Sequence, residues 1–196
     1  MLALGSAGRY LRRSLADFPQ RTGGYLLADA ARIAHLRSQI ARGGFRTIGL
    51  AWHSINPIVG KDRSIALERL RPVLHMPGCR FVDLQYGDTQ QEREDLEGRH
   101  GLRIEHLSEI DNYRDIDGLA ALIGTCDLVI TIDNTTVHLA GALGKPTWLL
   151  LPFAADWRWL LNRDDTPWYS TVRLFRQPRA DDWESVLQKV ARTLAQ

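Results

Sequence analysis

Short apolar runs alternate with longer amphipathic stretches along most of the chain. TIGLAWH at 47–53, RFVDLQ at 80–85, residues 103–107, Leu128–Ile132, Thr147–Leu151 and Val172–Phe175 read as buried strands. Leu128–Ile132 is apolar almost throughout, as a strand covered on both faces is. Between the strands the spacing changes to that of a helix. Asp29 to Arg42 places Ile33, Leu36 and Ile40 three and four apart, and Asn112 to Thr125 does the same with Ile116, Leu119, Ala120 and Ile123. Ser64 and Asp88 each stand where they could cap a helix, Asp88 with Gln91 as capping-box partner, and Pro72 shortens the first of the two. The chain closes on an amphipathic helix with Trp183, Val186, Leu187, Val190 and Leu194 on one stripe. Residues 1–28, broken by Gly5, Gly8, Pro19, Gly23 and Gly24, show no period. Strands that alternate with helices predict an α/β fold, a Rossmann-like doubly wound parallel sheet.

One unit stands out. Asp127 to Leu151, DLVITIDNTTVHLAGALGKPTWLLL, reads as strand, polar turn, helix and strand. Asp133-Asn134-Thr135-Thr136 are residues of the kind that begin helices. Ala140, Gly141 and Gly144 are expected to let the helix lie close on the sheet, and Gly144 with Pro146 to end it. The helix would then present backbone N–H groups and two hydroxyls at the carboxyl edge of the sheet, where α/β folds hold anions such as a diphosphate.

Composition narrows the partners. The 196 residues carry a net charge of +2, with 44% apolar and 24% charged residues, as in an ordinary globular domain. Basic residues do not cluster beyond pairs such as Arg12-Arg13, so nucleic acid is not expected as a partner. Cys79 and Cys126 lack CxxC spacing and read as buried thiols of a reducing compartment. The apolar start Met1-Leu2-Ala3-Leu4 is too short for a signal peptide, and Trp148–Ala155 is too short to span a bilayer. A cytoplasmic location is the resulting expectation. The six histidines show no ligand spacing, so no metal is expected.

Three polar loops follow strands that should share one sheet edge. The first carries His53, Ser54, Asn56, Lys61, Arg63 and Ser64. It is no Walker A loop, because Asp62 follows Gly60-Lys61. Lys61 or Arg63 would neutralise a phosphate there, or the loop is solvated surface. In the second, Gln85-Tyr86-Gly87-Asp88, a polar strand end followed by an aromatic residue suits a base or sugar, and equally a plain turn. The third is Asp133–Thr136. His138 in the first helical turn is a candidate donor contact and the one candidate catalytic residue, or else a structural histidine. Trp157, Trp159, Trp168 and Tyr169 read as packing. Neither GxGxxG after a strand nor GxSxG occurs, against dinucleotide oxidoreductases and α/β-hydrolases.

The segments DLVITIDNTTVHLAGALGKPTWLLLP, LQYGD, DIDGLAALI and DWRWLLNRDDTPWY…VRLFRQP together resemble a bacterial family that joins tetratricopeptide repeats to a glycosyltransferase-like region of the GT-B fold. That region is similar to ADP-heptose–lipopolysaccharide heptosyltransferases and, more distantly, to protein O-GlcNAc transferases. The resemblance implies the donor-binding half of a metal-independent glycosyltransferase, with a nucleotide-diphosphate sugar as substrate and no cofactor. Thr135 and Thr136 would then bind the diphosphate, with His138 beside it and Asn134 shaping the turn. Lys61, Arg63 or Ser64 would face the same phosphates from the first loop, Asn56 of that loop is a further substrate-binding candidate, and Gln85 would approach the nucleoside or sugar. The expected division is 1–46 as a linker and tail of a missing acceptor domain, 47–177 as the nucleotide-sugar domain and 178–196 as a helix packed on it. Two alternatives stand beside the enzyme: a binding module or split subunit completed by a second chain, and, more weakly, a GT-B-type sugar-nucleotide epimerase.

Overall fold

The computed structural model describes residues 7–19, 23–40 and 43–196. In chain order these form α1 (Gly8–Leu11), α2 (Ala30–Ile40), β1 (Arg46–Ala51), α3 (Gly60–Arg63), α4 (Arg71–Leu74), β2 (Cys79–Asp83), α5 (Gln90–His100), β3 (Ile104–Glu105), α6 (Ile116–Thr125), β4 (Leu128–Ile132), α7 (Thr135–Ala142), β5 (Thr147–Leu151), β6 (Val172–Arg176) and α8 (Trp183–Leu194). The start Met1–Leu4 and the expected helix end at Arg42 lie outside the described residues.

The six strands form one sheet in the order β3-β2-β1-β4-β5-β6, every neighbouring pair parallel. This is the α/β, Rossmann-like doubly wound architecture expected from the sequence. The order reverses between β1 and β4, and in such sheets the crevice beyond that point receives ligands. One face buries Ile48, Leu50, Phe81, Ile130 and Phe175 against α4, α5 and α8. The other buries Val82, Leu84 and Val129 against α2, α6 and Ala140 of α7. Val137 of α7 packs with Leu149, Leu151, Val172 and Leu174 of β5 and β6. No helix among the described residues is long and apolar enough to cross a membrane.

Three local expectations need correction. Ser64 starts no helix but ends α3 as its C-cap: its hydroxyl donates to the Gly60 carbonyl at 2.7 Å and accepts from the Ser54 N–H at 2.9 Å, closing the loop after β1 on itself. The following stretch forms a 3-10 turn at Leu67–Leu70 and then α4, with Pro72 in its first turn where a missing N–H costs nothing. Nor does Asp88 cap α5 in a box with Gln91: the cap position is Thr89, whose hydroxyl donates to buried Asp83 at 2.6 Å. Gly141, third, faces Tyr169 rather than the sheet, and Gly144, at φ +70°, sits against Gly24.

Candidate functional site at the sheet's carboxyl edge

The turn after β4 is only two residues long. Asp133 and Asn134 carry the chain from a wholly buried strand into α7. Asn134 is the N-cap: its Oδ1 accepts the Thr136 N–H at 2.9 Å and the Thr131 hydroxyl at 3.2 Å. The Thr135 N–H, at the first helical position, has no acceptor within the helix, as the geometry of helix starts requires. The two hydroxyls are not equivalent, contrary to the sequence reading. Thr135 is exposed, whereas Thr136 is 1% exposed and belongs to the core.

Asp133, 3% exposed, is paired across the reversal point with Arg63 from the end of α3, Nη1 to Oδ2 at 3.0 Å. Arg63 also reaches Asp156 at 3.6 Å, and Asp156 holds Arg158 at 2.7 Å. A chain of alternating charges thus links the loops after β1, β4 and β5. Burial pushes the Asp133 carboxyl above its ordinary range, against the pull of Arg63. His138 is fixed from three directions: by α7, by a stack on Trp159 with centroids 5.5 Å apart and planes 20° apart, and by Tyr169, whose hydroxyl lies 3.0 Å from Nδ1. Burial lowers its pKa, opposed by Asp133 and Asp156 and reinforced by Arg158 and Arg63. His138 lines a cavity of about 400 Å³ with Trp157, Arg158, Trp168 and Tyr169. The aromatic group therefore divides: Trp159 is core, while Trp157 is 62% exposed.

The other sequence-predicted residues lie on or beside the same edge in different states. Gln85, 2% exposed, is fully engaged: Oε1 accepts the N–H groups of Trp52 and His53 at 2.9 and 2.8 Å, and Nε2 donates to the Tyr86 carbonyl. It pins the loop after β1 to the end of β2. Asn56 is exposed, and its Oδ1 accepts from Ile58 and Val59, capping its own turn. Lys61 is exposed on α3. Ser64 serves the loop's internal bonding. The structure thus joins Arg63, Asn134 and His138 into one constellation with Asp133 and Thr135. Gln85 and Ser64 serve as supports behind it.

Sequence reasoning missed a second cluster. Buried Asp83 at the end of β2 accepts from Thr89, from His106 Nδ1 at 3.0 Å and from the Gln85 N–H, with Arg93 at 3.4 Å. Asn112 Nδ2 donates to the carbonyls of Asp83 and Gln85, both at 3.1 Å. Beside them lies a cavity of about 590 Å³ whose lining includes Tyr86, Tyr113, His106 and Asn112, the two tyrosine rings 6.1 Å apart. An Asp within the apolar run RFVDLQ was the available signal, since a carboxylate there demands buried partners. Both thiols are free, with Cys126 pushed up to about 12 by burial and Cys79 half-buried.

No protein-family model matches the chain. Protein FlbA of Caulobacter vibrioides is 37% identical over 194 residues, which cover 98% of this chain and 32% of FlbA. Among solved structures, ADP-heptose lps heptosyltransferase II of E. coli superposes with a TM-score of 0.61 at 16% identity, over 94% of this chain and 57% of that one. The glycosyl transferase family 9 protein of Veillonella parvula gives 0.60 at 14%, over 90% and 55%. E. coli heptosyltransferase WaaC with ADP gives 0.55 at 16%, over 89% and 51%. The chain therefore spans about a third of its curated relative and little more than half of these structures. At such identities the structural likeness is one of fold, and it is the Rossmann-like fold of GT-B glycosyltransferases.

Proposed function

We propose that the chain is the donor-binding half of a glycosyltransferase of the GT-B type, holding a nucleotide-diphosphate sugar for transfer to an acceptor hydroxyl. One observation carries the reading: the Asn134-capped start of α7 opens at the point where the strand order reverses, with Thr135 exposed and Arg63 and His138 beside it. The diphosphate would lie on the N–H groups of that helix start. The cavity lined by Tyr86 and Tyr113 has the size and an aromatic wall for a base. An acceptor hydroxyl would attack the anomeric carbon as the nucleoside diphosphate leaves. The helix start, with Lys61 or a rearranged Arg63, would stabilise the developing charge. Holding an acceptor against the donor is worth up to about 7–11 kcal/mol of the barrier, so turnover calls for an acceptor-binding half as well. Tetratricopeptide linkage, kinship with protein O-GlcNAc transferases and a cytoplasmic location belong to this proposal and rest on the sequence motifs and composition alone.

Binding without turnover is a second reading, favoured by the charge balance. Arg63 already answers Asp133 and Asp156, which leaves exposed Lys61 as the cation on α3 without a described carboxylate partner. Calorimetry with ADP, UDP, GDP and their sugar conjugates tests the common basis, ADP first because it accompanies a structural neighbour. Binding of at least one nucleotide, weakened by Tyr113→Ala while inorganic pyrophosphate is held as before, is the expected result. If none binds at millimolar concentration, both readings fall. Acceptor-dependent release of the nucleoside diphosphate then separates enzyme from module.

A further inference from the structure

We infer that Tyr169 is a positioning residue that sets the tautomer of His138, so that Nε2 carries the proton and donates to the anionic ligand at the start of α7. The role toward a ligand rests on the proposed function, while the tautomer is a property of the protein alone.

The tyrosine comes from outside the turn that forms the site. It lies just before β6, and its ring passes over α7 at Gly141, where a Cβ would come within 2.5 Å of the Tyr169 Cγ. Only a glycine in α7 admits the ring. Its hydroxyl then meets His138 Nδ1 at 3.0 Å. A phenol is a stronger donor than an imidazole N–H, and an imidazole nitrogen a stronger acceptor than a phenol oxygen, so the hydroxyl proton points to Nδ1. That leaves the ring's own proton on Nε2. The stack on Trp159 fixes the plane of the ring, so this hydrogen bond determines which nitrogen is the donor. Burial favours the neutral ring over the imidazolium, which would protonate both nitrogens and cancel the distinction. Burial also raises the pKa of Tyr169, which keeps its proton; with that proton on the Nδ1 side, the Tyr25 hydroxyl bonded to the same oxygen is the donor in its own bond. The charged groups around the imidazole are Asp133, Asp156, Arg158 and Arg63. An Nε2–H donor suits a phosphate oxygen, whereas an Nε2 lone pair would repel it.

Long-range 1H–15N correlation spectra of the ring-labelled protein at neutral pH read the tautomer directly. The inference expects an acceptor-type Nδ1 shift and a protonated-type Nε2 shift for His138, and a move toward the averaged shifts of a free histidine in Tyr169→Phe, which keeps the ring over Gly141. A protonated Nδ1 in the parent overturns it without need of any variant, and so does an unchanged spectrum in Tyr169→Phe. Calorimetry with ADP, UDP and GDP gives the second readout. Tyr169→Phe and His138→Ala each weaken binding several-fold, and the double variant is no weaker than His138→Ala, because the tyrosine acts through the histidine. Additive losses refute the positioning role. If the tautomer is as stated but no nucleotide binds the parent, the proposed function fails and the assignment of the proton stands.

Discussion

The two loops that flank the reversal point are built on opposite principles. The turn after β4 is two residues long, buried at Asp133, and passes straight into a capped helix. The loop after β1 runs through the exposed Ile55, Asn56, Ile58 and Lys61. Its shape is imposed by side chains: Gln85 holds Trp52 and His53, the Tyr86 hydroxyl accepts the Ile55 N–H, and Ser64 ties Ser54 to Gly60. Local geometry thus presets the first, while tertiary bonds that a few substitutions remove hold the second. Arg63 joins them.

Breaking that joint has the largest expected effect. Arg63→Met leaves the Asp133 carboxylate buried without its cation, and loss of one member of a buried pair costs about 3–5 kcal/mol. Urea denaturation should show the loss, and Arg63→Met/Asp133→Asn should recover most of it. Because burial raises the Asp133 pKa, the folded state takes up its proton at a higher pH than the unfolded state does. The defect of Arg63→Met should therefore shrink as pH falls through the folded pKa toward the ordinary carboxylate range.

Next in size is Gln85→Leu. It strands the buried Trp52 N–H at the start of the first loop, at about 1–3 kcal/mol, while the N–H of exposed His53 can turn to water. Faster amide exchange at Trp52 and His53, with the start of α7 unchanged, would confirm that the two loops are held independently. Asn134→Ala strikes the preset loop and should cost about 1 kcal/mol of stability, the ordinary worth of a helix cap, measured by the same denaturation. The smallest effect concerns His138. Its folded pKa is lowered, so below about 6.5 the unfolded chain binds the proton first and stability falls with pH down to the folded value. His138→Phe should flatten that slope, seen as urea midpoints that no longer drift across the window.

The sequence displayed the locally preset loop far better than the one held by tertiary bonds. The apolar run of β4, the capping residues at Asp133–Thr136 and the three-and-four spacing of α6 and α8 are local signals, and the parallel sheet followed from the alternation of strands with helices. The roles of Gln85 and Ser64 were not legible, because a polar side chain at a strand end looks the same whether it meets a ligand or a neighbouring backbone. Only the fold, which brings Trp52 and His53 beside Gln85, decides between the two. The Arg63–Asp133 pair, 70 residues apart in the chain, was hidden for the same reason. Gly141 was read as a contact with the sheet, yet it makes room for Tyr169, a partner from beyond β5.

The central claim is that backbone N–H groups at the start of α7 hold a diphosphate, and Thr135→Pro tests it most directly. Proline is well tolerated at the first helical position and deletes one of those donors there. Titration of the parent and the variant with the same nucleoside diphosphate should show binding in the parent and a loss of tenfold or more in Thr135→Pro, with the thermal unfolding midpoint nearly unchanged. Equal affinity in the two proteins would contradict the account.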